Sequence, residues 1–280
     1  MAKKGETRRR FIQVLSAALY NANLPGFTNG TIYAGKLKGV CVPGLNCYSC
    51  PGAVAACPLG SLQSTLGAAK NGAWLYILGT LMLFGLLLGR VVCGFLCPFG
   101  FVQELLYKIR TKKIRKNRLT AWLSYLRYAV LAVMVLVLPV LTASPAFCKY
   151  ICPAGTLGGA LPLLSTSEYL RSAAGTLFFW KLFVLIAVLV LAVFLHRVFC
   201  RFLCPLGAIY GLFNKISLLG VRVKKSACTN CGACTKGCLM DIRCPGDHSC
   251  IQCGRCINWC PTGAIQWKTY KKQPTEEAVK

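Results

Sequence analysis

Acidic residues and histidines are scarce in this chain. Its 280 residues include 7 aspartates and glutamates and 2 histidines, His196 and His248. With so few general acids and bases, no Ser/His/Asp set and no nucleotide- or flavin-binding motif, the sequence does not indicate a self-contained enzyme. The long apolar segments hold almost no ionisable groups, so a proton pump is not predicted either.

The shortage of acids also leaves a large positive charge. Lysine and arginine total 33, which gives a formal net charge of +26. Such an excess raises the question of nucleic-acid binding. Here the basic residues alternate with long uncharged runs, 55% of the chain is hydrophobic, and the mean hydropathy is +0.55. This pattern is typical of a membrane protein with basic loops, so we expect membrane lipid rather than nucleic acid as a partner.

Three uncharged runs are long enough to be membrane spans, and a fourth is weaker. The strong candidates are residues 71–89, 128–148 and 175–195, the last interrupted only by Lys181. The weaker candidate, residues 11–24, is short and is closed by Pro25-Gly26, so an interfacial helix or a signal peptide are alternatives. About four spans are expected.

Basic residues are concentrated on one side of this pattern. Seven lie between Lys108 and Arg118, others precede Phe11 or follow His196, and few occupy the loops 25–72 and 143–176. Because cytoplasmic loops of membrane proteins are enriched in lysine and arginine, both termini are predicted to be cytoplasmic. We expect a multi-pass protein of a prokaryotic cytoplasmic membrane.

An internal repeat divides the first 220 residues. Residues 90–109 and 197–216 are identical at eleven of twenty positions, and each copy contains the motif Cys-x3-Cys-Pro-x-Gly. Such similarity indicates internal repetition. The two halves, at about 8–118 and 119–220, run in the same direction, so a pseudo-twofold axis along the membrane normal can relate them.

Cysteines are abundant, 19 in all, and four Cys-Pro-x-Gly strings in the first 220 residues each follow another cysteine. Cysteines at positions i and i+4 lie on one face of a helix end, and a following proline leaves backbone N–H groups free to face the sulfurs. Pairs from the two halves can therefore surround one metal group. We predict an inner site near the cytoplasmic face, formed by Cys93, Cys97, Cys200 and Cys204, and an outer site, formed by Cys50, Cys57, Cys148 and Cys152.

Alternatives remain open for these cysteines. Cys41 and Cys47 are left over near the outer site, as extra ligands or as a disulfide. Simple buried thiols at apolar helix ends, or a zinc site with four cysteine ligands, would also account for the pairs.

Residues 228–260 contain two runs of closely spaced cysteines, each with the spacing Cys-x2-Cys-x2-Cys-x3-Cys. This spacing is typical of bacterial two-[4Fe–4S] ferredoxins, in which the fourth cysteine of each run binds the other cluster. Cys244, which precedes Pro245, is an alternative to Cys238. The predicted ligands are Cys228, Cys231, Cys234 and Cys260 for the first cluster, and Cys250, Cys253, Cys256 and Cys238 for the second.

Together these motifs resemble the NapH/NosR-type membrane polyferredoxins. The resemblance covers about Arg8 to Trp267, and its most specific parts are Arg90–Gly100, Arg197–Gly207 and Cys228–Pro261. It implies electron transfer to or from a membrane or extracytoplasmic respiratory partner, often linked to the quinone pool, so a quinone is a further candidate ligand.

The sequence thus predicts a mainly α fold. A polytopic helical membrane domain (residues 1–220) precedes a small α+β ferredoxin domain of the bacterial type (221–270) and a flexible tail (271–280). Two [4Fe–4S] clusters are expected in the ferredoxin domain and one or two more in the membrane domain. The predicted function is an electron relay between a cytoplasmic donor, such as a ferredoxin-like protein, or a quinone and a membrane or extracytoplasmic oxidoreductase. The alternative is an assembly factor that reduces a metal or thiol during maturation of a respiratory enzyme.

Overall fold

The computed structural model describes residues 2–68, 72–114 and 116–268, and the predicted tail 271–280 lies outside the described residues. Helices dominate, as the sequence predicts. In chain order they are α1 (Ala2–Tyr20), α2 (Leu24–Asn29), α3 (Pro58–Ala68), α4 (Ala73–Leu88), α5 (Pro98–Leu106), α6 (Arg118–Leu123), α7 (Leu126–Val130), α8 (Leu138–Thr142), α9 (Ala146–Tyr150), α10 (Pro153–Gly155), α11 (Leu161–Thr166), α12 (Glu168–Ser172), α13 (Thr176–Phe194), α14 (Val198–Phe202), α15 (Pro205–Phe213) and α16 (Ala233–Lys236).

Wider and tighter helical turns complete these elements. The π-helical turns are Val92–Leu96, Leu131–Val137 and Thr156–Ala160, and the 3₁₀ turns are Lys36–Gly39, Lys225–Ala227 and Arg255–Trp259. The first π-helical turn contains Cys93 and ends just before Cys97, and π-helical turns occur frequently at functional sites.

Two helical segments are long and apolar enough to cross a membrane. They are Arg118–Thr142, which joins α6, α7 and α8, and α13. Only 22% and 17% of their most apolar windows are buried within the protein. Apolar helices that face outward to this extent fit a lipid environment better than water. α4 is apolar but has 16 residues, and α1, which contains residues 11–20 of the weaker candidate 11–24, does not meet the same standard.

The C-terminal residues form a small unit closed by two strands. β1 (Val221–Val223) and β2 (Ile265–Trp267) pair antiparallel, with Val221 opposite Trp267 and Val223 opposite Ile265. All eight cysteines of the two C-terminal runs lie between these strands, together with Cys244. The strands thus bring the first and last cysteines of the unit to the same end.

The core lies among the cysteine motifs. Phe99 and Phe199, which adjoin Cys-x3-Cys-Pro motifs of the two halves, meet edge to face with ring centroids 5.3 Å apart. Phe147, next to Cys148, is 6.3 Å from Phe199. All three rings are buried, and aromatic pairs in this range stabilise a core beyond simple burial. The motifs therefore pack against one another at the centre of the helical part of the chain.

Candidate metal centres

Each Cys-Pro-x-Gly string begins a helix. Pro58, Pro98, Pro153 and Pro205 are the first residues of α3, α5, α10 and α15. Proline suits this position because its fixed φ matches a helix and its missing N–H has no intrahelical partner there. The preceding cysteine occupies the N-cap, and its sulfur accepts from the glycine N–H three residues later, as from Gly207 to Cys204 Sγ at 3.4 Å. The same contact joins Gly60, Gly100 and Gly155 to Cys57, Cys97 and Cys152.

The structure brings the four cysteines of the predicted inner site together. All four are buried, and Cys204 lies within electrostatic range of the other three. Gln103 fixes one of the sulfurs, because its Nε2 donates to Cys200 Sγ at 3.1 Å while its Oε1 accepts from the Phe199 N–H at 3.0 Å. α5 of the first half and α14 of the second are thereby joined at the site.

Two buried arginines cross between the halves around the inner site. Arg197 donates through Nη1 to the carbonyl of Cys93, and Arg90 donates through Nη2 to the carbonyl of Cys200 at 3.3 Å. Both guanidinium groups pass over a glycine of the opposite motif. A Cβ at Gly100 would lie 3.1 Å from Arg197, and a Cβ at Gly207 would lie 3.2 Å from Arg90. The glycine of the motif thus leaves room for the arginine.

Glu104 balances part of this buried positive charge. Its carboxylate pairs with Arg9 of α1 and with Arg197, each at 2.8 Å. Burial opposes ionisation of Glu104, but Arg197 and Arg9 hold its pKa down to about 2. His196 lies beside them, and burial together with Arg197 lowers its pKa to about 3, so the imidazole is neutral at pH 7. This network attaches the N-terminal helix to the inner site.

The outer cysteines line a cavity of about 210 Å³. Three of the predicted residues face it, but the fourth is Cys47 in place of Cys50. The cysteines of this outer cavity are Cys47, Cys57, Cys148 and Cys152.

Cys50 points elsewhere because its Cys-Pro does not begin a helix. Pro51-Gly52 forms a turn, and the Cys50 thiol lies 3.6 Å from Asn21 Oδ1. Cys41 is buried in a short backbone pairing with Ala56, and neither Cys41 nor Cys47 forms a disulfide. The Cys-Pro pattern therefore selects Cys50 for the outer site, whereas the loop places the Cys47 thiol in the cavity.

At the outer cavity, a second glutamine makes the same two kinds of hydrogen bond that Gln103 makes at the inner site. Gln63 Nε2 donates to Cys148 Sγ at 3.5 Å, and its Oε1 accepts from the Phe147 N–H at 2.9 Å. Sequence reasoning missed both glutamines. A signal for them exists, because each stands six residues after the cysteine of a Cys-Pro-x-Gly string.

The first C-terminal site is an open cavity of about 710 Å³. Two residues with positive φ, Asn230 and Gly232, fold the chain tightly between its first three cysteines. Cys260 is partly exposed, and a hydrogen bond with the Thr262 hydroxyl lowers the pKa of its thiol. The cysteines that line this cavity are Cys228, Cys231, Cys234 and Cys260, together with Cys244.

The second C-terminal site is smaller and more enclosed. Gln252 and Gly254 have positive φ here, as Asn230 and Gly232 do at the first site. Burial raises the pKa of Cys238 and of Cys256 to about 12, so a bound cation would have to stabilise their thiolates. Cys244 does not line this cavity. The cysteines that do are Cys238, Cys250, Cys253 and Cys256.

The second C-terminal site is held directly against the inner site. Arg90 Nη1 donates to the His248 carbonyl at 2.9 Å, and Asn214 Nδ2 donates to the carbonyls of Asp247 and Cys250, each at 2.7 Å. Gly94, between the two cysteines of the first inner motif, is so close that an added Cβ would lie 2.5 Å from the Ile251 carbonyl oxygen. Backbone of the C-terminal unit therefore touches backbone of the inner site.

The donor chemistry of the four sites fits iron–sulfur clusters. Each site offers four cysteine sulfurs, which is the ligand set of a [4Fe–4S] cluster. Among the described residues, no group of three or more histidine, cysteine or acidic side chains is arranged around a single ion. The thiols instead surround cavities or, at the inner site, lie buried within electrostatic range of one another.

Comparison with known proteins also indicates iron–sulfur clusters. Residues 71–117, 126–164 and 176–226 match a family described as a 4Fe-4S binding domain. The ferredoxin-type protein NapH of Haemophilus influenzae is 30% identical over 205 residues, which are 68% of this chain and 66% of NapH. The protein MJ0750 of Methanocaldococcus jannaschii is 31% identical over 228 residues, 78% of this chain and 88% of the relative.

The chain belongs to the NapH/NosR-type polyferredoxin family. The regulatory protein NosR of Pseudomonas aeruginosa is 29% identical over 189 residues, 66% of this chain but only 25% of NosR. No solved structure matches significantly. As a polyferredoxin of this family, the chain binds [4Fe–4S] clusters and is an iron–sulfur protein of the electron-transfer type, which confirms that part of the sequence prediction.

Proposed function

We propose that this polyferredoxin conducts single electrons between a redox partner at the exposed first C-terminal site and a second partner beyond the outer cavity. The observation that carries the proposal is that each cysteine site lies next to another. The two C-terminal sites lie in one unit, Gly94 and Arg90 hold the second against the inner site, and Tyr210 lies within electrostatic range of both the inner site and the outer cavity.

When bound, [4Fe–4S] clusters supply one-electron redox centres whose potentials respond to hydrogen bonds and to solvent exposure. The chain's own residues arrange these conditions. Gln103 and Gln63 donate to one sulfur at each membrane-domain site, and the glycine N–H of each Cys-Pro-x-Gly string donates to another. Burial at the inner site excludes water, whereas the exposed Cys231 and the partly exposed Cys260 leave the first C-terminal site open to a partner.

The proposed ligands follow from this placement. For the two C-terminal sites and the inner site they are the residues that the spacing predicts. For the outer cavity the proposed set is Cys47, Cys57, Cys148 and Cys152, with Cys50 and Cys244 outside any set.

The basic loops give the proposed orientation. The C-terminal unit and both termini lie on the cytoplasmic side, because Lys116 of the basic segment 108–118 donates to the Thr235 carbonyl of that unit. The cytoplasmic partner is then a soluble electron-transfer protein. The second partner is an extracytoplasmic or membrane oxidoreductase, or a quinone dissolved in the lipid.

Iron analysis tests the proposal. The protein is purified anaerobically in detergent, and iron and acid-labile sulfide are measured per chain. Four clusters correspond to about sixteen iron atoms, and replacing Cys93, Cys97, Cys200 and Cys204 with alanine is expected to remove about four. About eight iron atoms, unchanged in that variant, would overturn the relay and leave only the C-terminal unit.

A matched pair of variants tests the outer ligands. Cys47→Ala is expected to remove about four iron atoms, while Cys50→Ala, three residues away in the same loop, is expected to remove none. The reverse result would return Cys50 to the outer set.

A further inference from the structure

The loop between Cys41 and Cys57 lies between the inner site and the outer cavity. Gly44 approaches the inner site so closely that an added Cβ would lie 3.0 Å from the Leu96 carbonyl oxygen and 3.2 Å from Cys97 Cα. The next two residues, Leu45 and Asn46, line the outer cavity. Within three residues the backbone therefore passes from one cysteine site to the other.

Two consecutive backbone N–H groups of this loop point to different sites. The N–H of Leu45 donates to the sulfur of Cys97 at the inner site, and the N–H of Asn46 donates to the sulfur of Cys57 at the outer cavity. Only the Cα and the carbonyl carbon of Leu45 separate the two nitrogens. A thiol of each site is thus joined to the other through two hydrogen bonds and a short piece of main chain.

Two tyrosines hold this piece of main chain in place. Tyr210 is fully buried, and its hydroxyl donates to the Pro43 carbonyl at 2.9 Å. The carbonyl of Tyr20 accepts from Asn46 Nδ2 at 3.4 Å and from the Val54 N–H at 3.1 Å. The loop is therefore fixed from the α15 side and from the end of α1, so that its two N–H groups keep their directions.

We propose that the backbone of Leu45 and Asn46, positioned by Tyr210, is the electronic connection between the inner site and the outer cavity and adjusts both sites together. The inference rests on the proposed function. In each transfer one site loses an electron and the other gains it, and no covalent bond forms or breaks. Hydrogen bonds to cluster sulfurs shift the reduction potential, so moving this one segment alters the potentials of both sites at once.

The test uses two changes and a control in the full-length, cluster-loaded protein. Gly44→Ala pushes the loop away from Cys97, because the space for the new methyl group is tighter than an ordinary contact. Tyr210→Phe removes only the hydroxyl that holds Pro43. Gly39→Ala changes a glycine in the preceding turn that has no atom within 4 Å of an added Cβ.

The readout is the pair of midpoint potentials of the membrane-domain sites, followed by electron paramagnetic resonance during redox titration. Their signals are assigned by their loss in the inner four-cysteine variant and in Cys47→Ala. We expect Gly44→Ala and Tyr210→Phe each to shift both potentials in the same direction, with the C-terminal potentials and the iron content unchanged. Gly39→Ala is expected to shift none.

The outcomes separate this inference from the proposed function. Full iron content with only one potential shifted, or with neither shifted in Tyr210→Phe, would overturn the connection and leave the relay standing. An outer cavity without iron in the unmodified protein would overturn both. If Gly44→Ala loses iron, Tyr210→Phe decides the question, because it keeps the loop sequence intact.

Discussion

The arginines of the two inner motifs bind cysteine carbonyls in the same way but attach different neighbours. In each copy an arginine seven residues before the Cys-Pro cysteine donates to the carbonyl of the other copy's first cysteine. The remaining N–H groups differ in their partners. Those of Arg197 bind the Glu104 carboxylate and through it Arg9 of α1, whereas Arg90 binds the His248 carbonyl of the C-terminal unit.

One position accounts for this difference. Glu104 of the first copy corresponds to Gly211 of the second, where an added Cβ would lie 2.7 Å from the His248 carbonyl oxygen. The Glu104 side chain lies beside Arg197, whereas the main chain of the C-terminal unit lies beside Arg90. The repeat therefore keeps its two arginine contacts and exchanges a side chain for main chain of another unit at this position.

The largest expected effect comes from removing the Glu104 carboxylate, which pairs with Arg9 and Arg197. Glu104→Gln leaves Arg9 and Arg197 buried, at 2% and 0% exposure, without a counter-charge. Breaking a buried ion pair in this way costs about 3–5 kcal/mol of folding stability. A clear fall in the melting temperature of the detergent-solubilised protein is expected. Glu168→Gln, at an exposed carboxylate, serves as the control, and coinciding melts of the two variants would show that the pairing contributes little.

A smaller effect is expected from adding a side chain at Gly211, where the second copy has none. Gly211→Ala places a methyl group against the His248 carbonyl, and overpacking of this kind costs about 1–3 kcal/mol. Faster amide hydrogen exchange in residues 247–252 is the expected result, since the C-terminal unit must move outward. Gly79→Ala, whose added Cβ meets no atom within 4 Å, is the matched control. Equal exchange in both variants would contradict the docking role of Gly211.

The smallest effect concerns a feature that both membrane-domain sites share. Gln103→Leu removes the donor to Cys200, and Gln63→Leu removes the donor to Cys148. One hydrogen bond of about 0.5–1.5 kcal/mol corresponds to roughly 20–60 mV for one electron, so each variant is expected to lower the potential of its own site by that amount. The longer bond of Gln63 predicts the smaller shift. Redox titration checks this, and a shift at the wrong site would refute the pairing.

Local patterns made much of this structure predictable. The family and the cluster type follow from cysteine spacing, because three ligands within seven residues fold around one cluster whatever the rest of the chain does. The mainly helical architecture and the start of α5 and α15 at Pro98 and Pro205 follow from equally local rules. The repeat also indicated that motifs from the two halves would meet.

What the sequence did not reveal depends on distant contacts. Cys50-Pro51 looks like the other motifs, but its glycine follows two residues after the cysteine rather than three, and the turn aims the thiol at Asn21. Cys47 reaches the outer cavity only because the loop is fixed to Tyr20 and Tyr210. The ion pair between Arg9 and Glu104 joins residues 95 positions apart, and no sequence period marks it.

Three of the hydrogen bonds that attach the C-terminal unit end on main-chain oxygens, those of Asp247, His248 and Cys250. A main-chain carbonyl is present whatever side chain the residue carries. This part of the attachment therefore places no demand on the side chains of those residues. The buried ion pair between Arg201 and Asp241 is the opposite case, because it requires an acidic side chain at position 241.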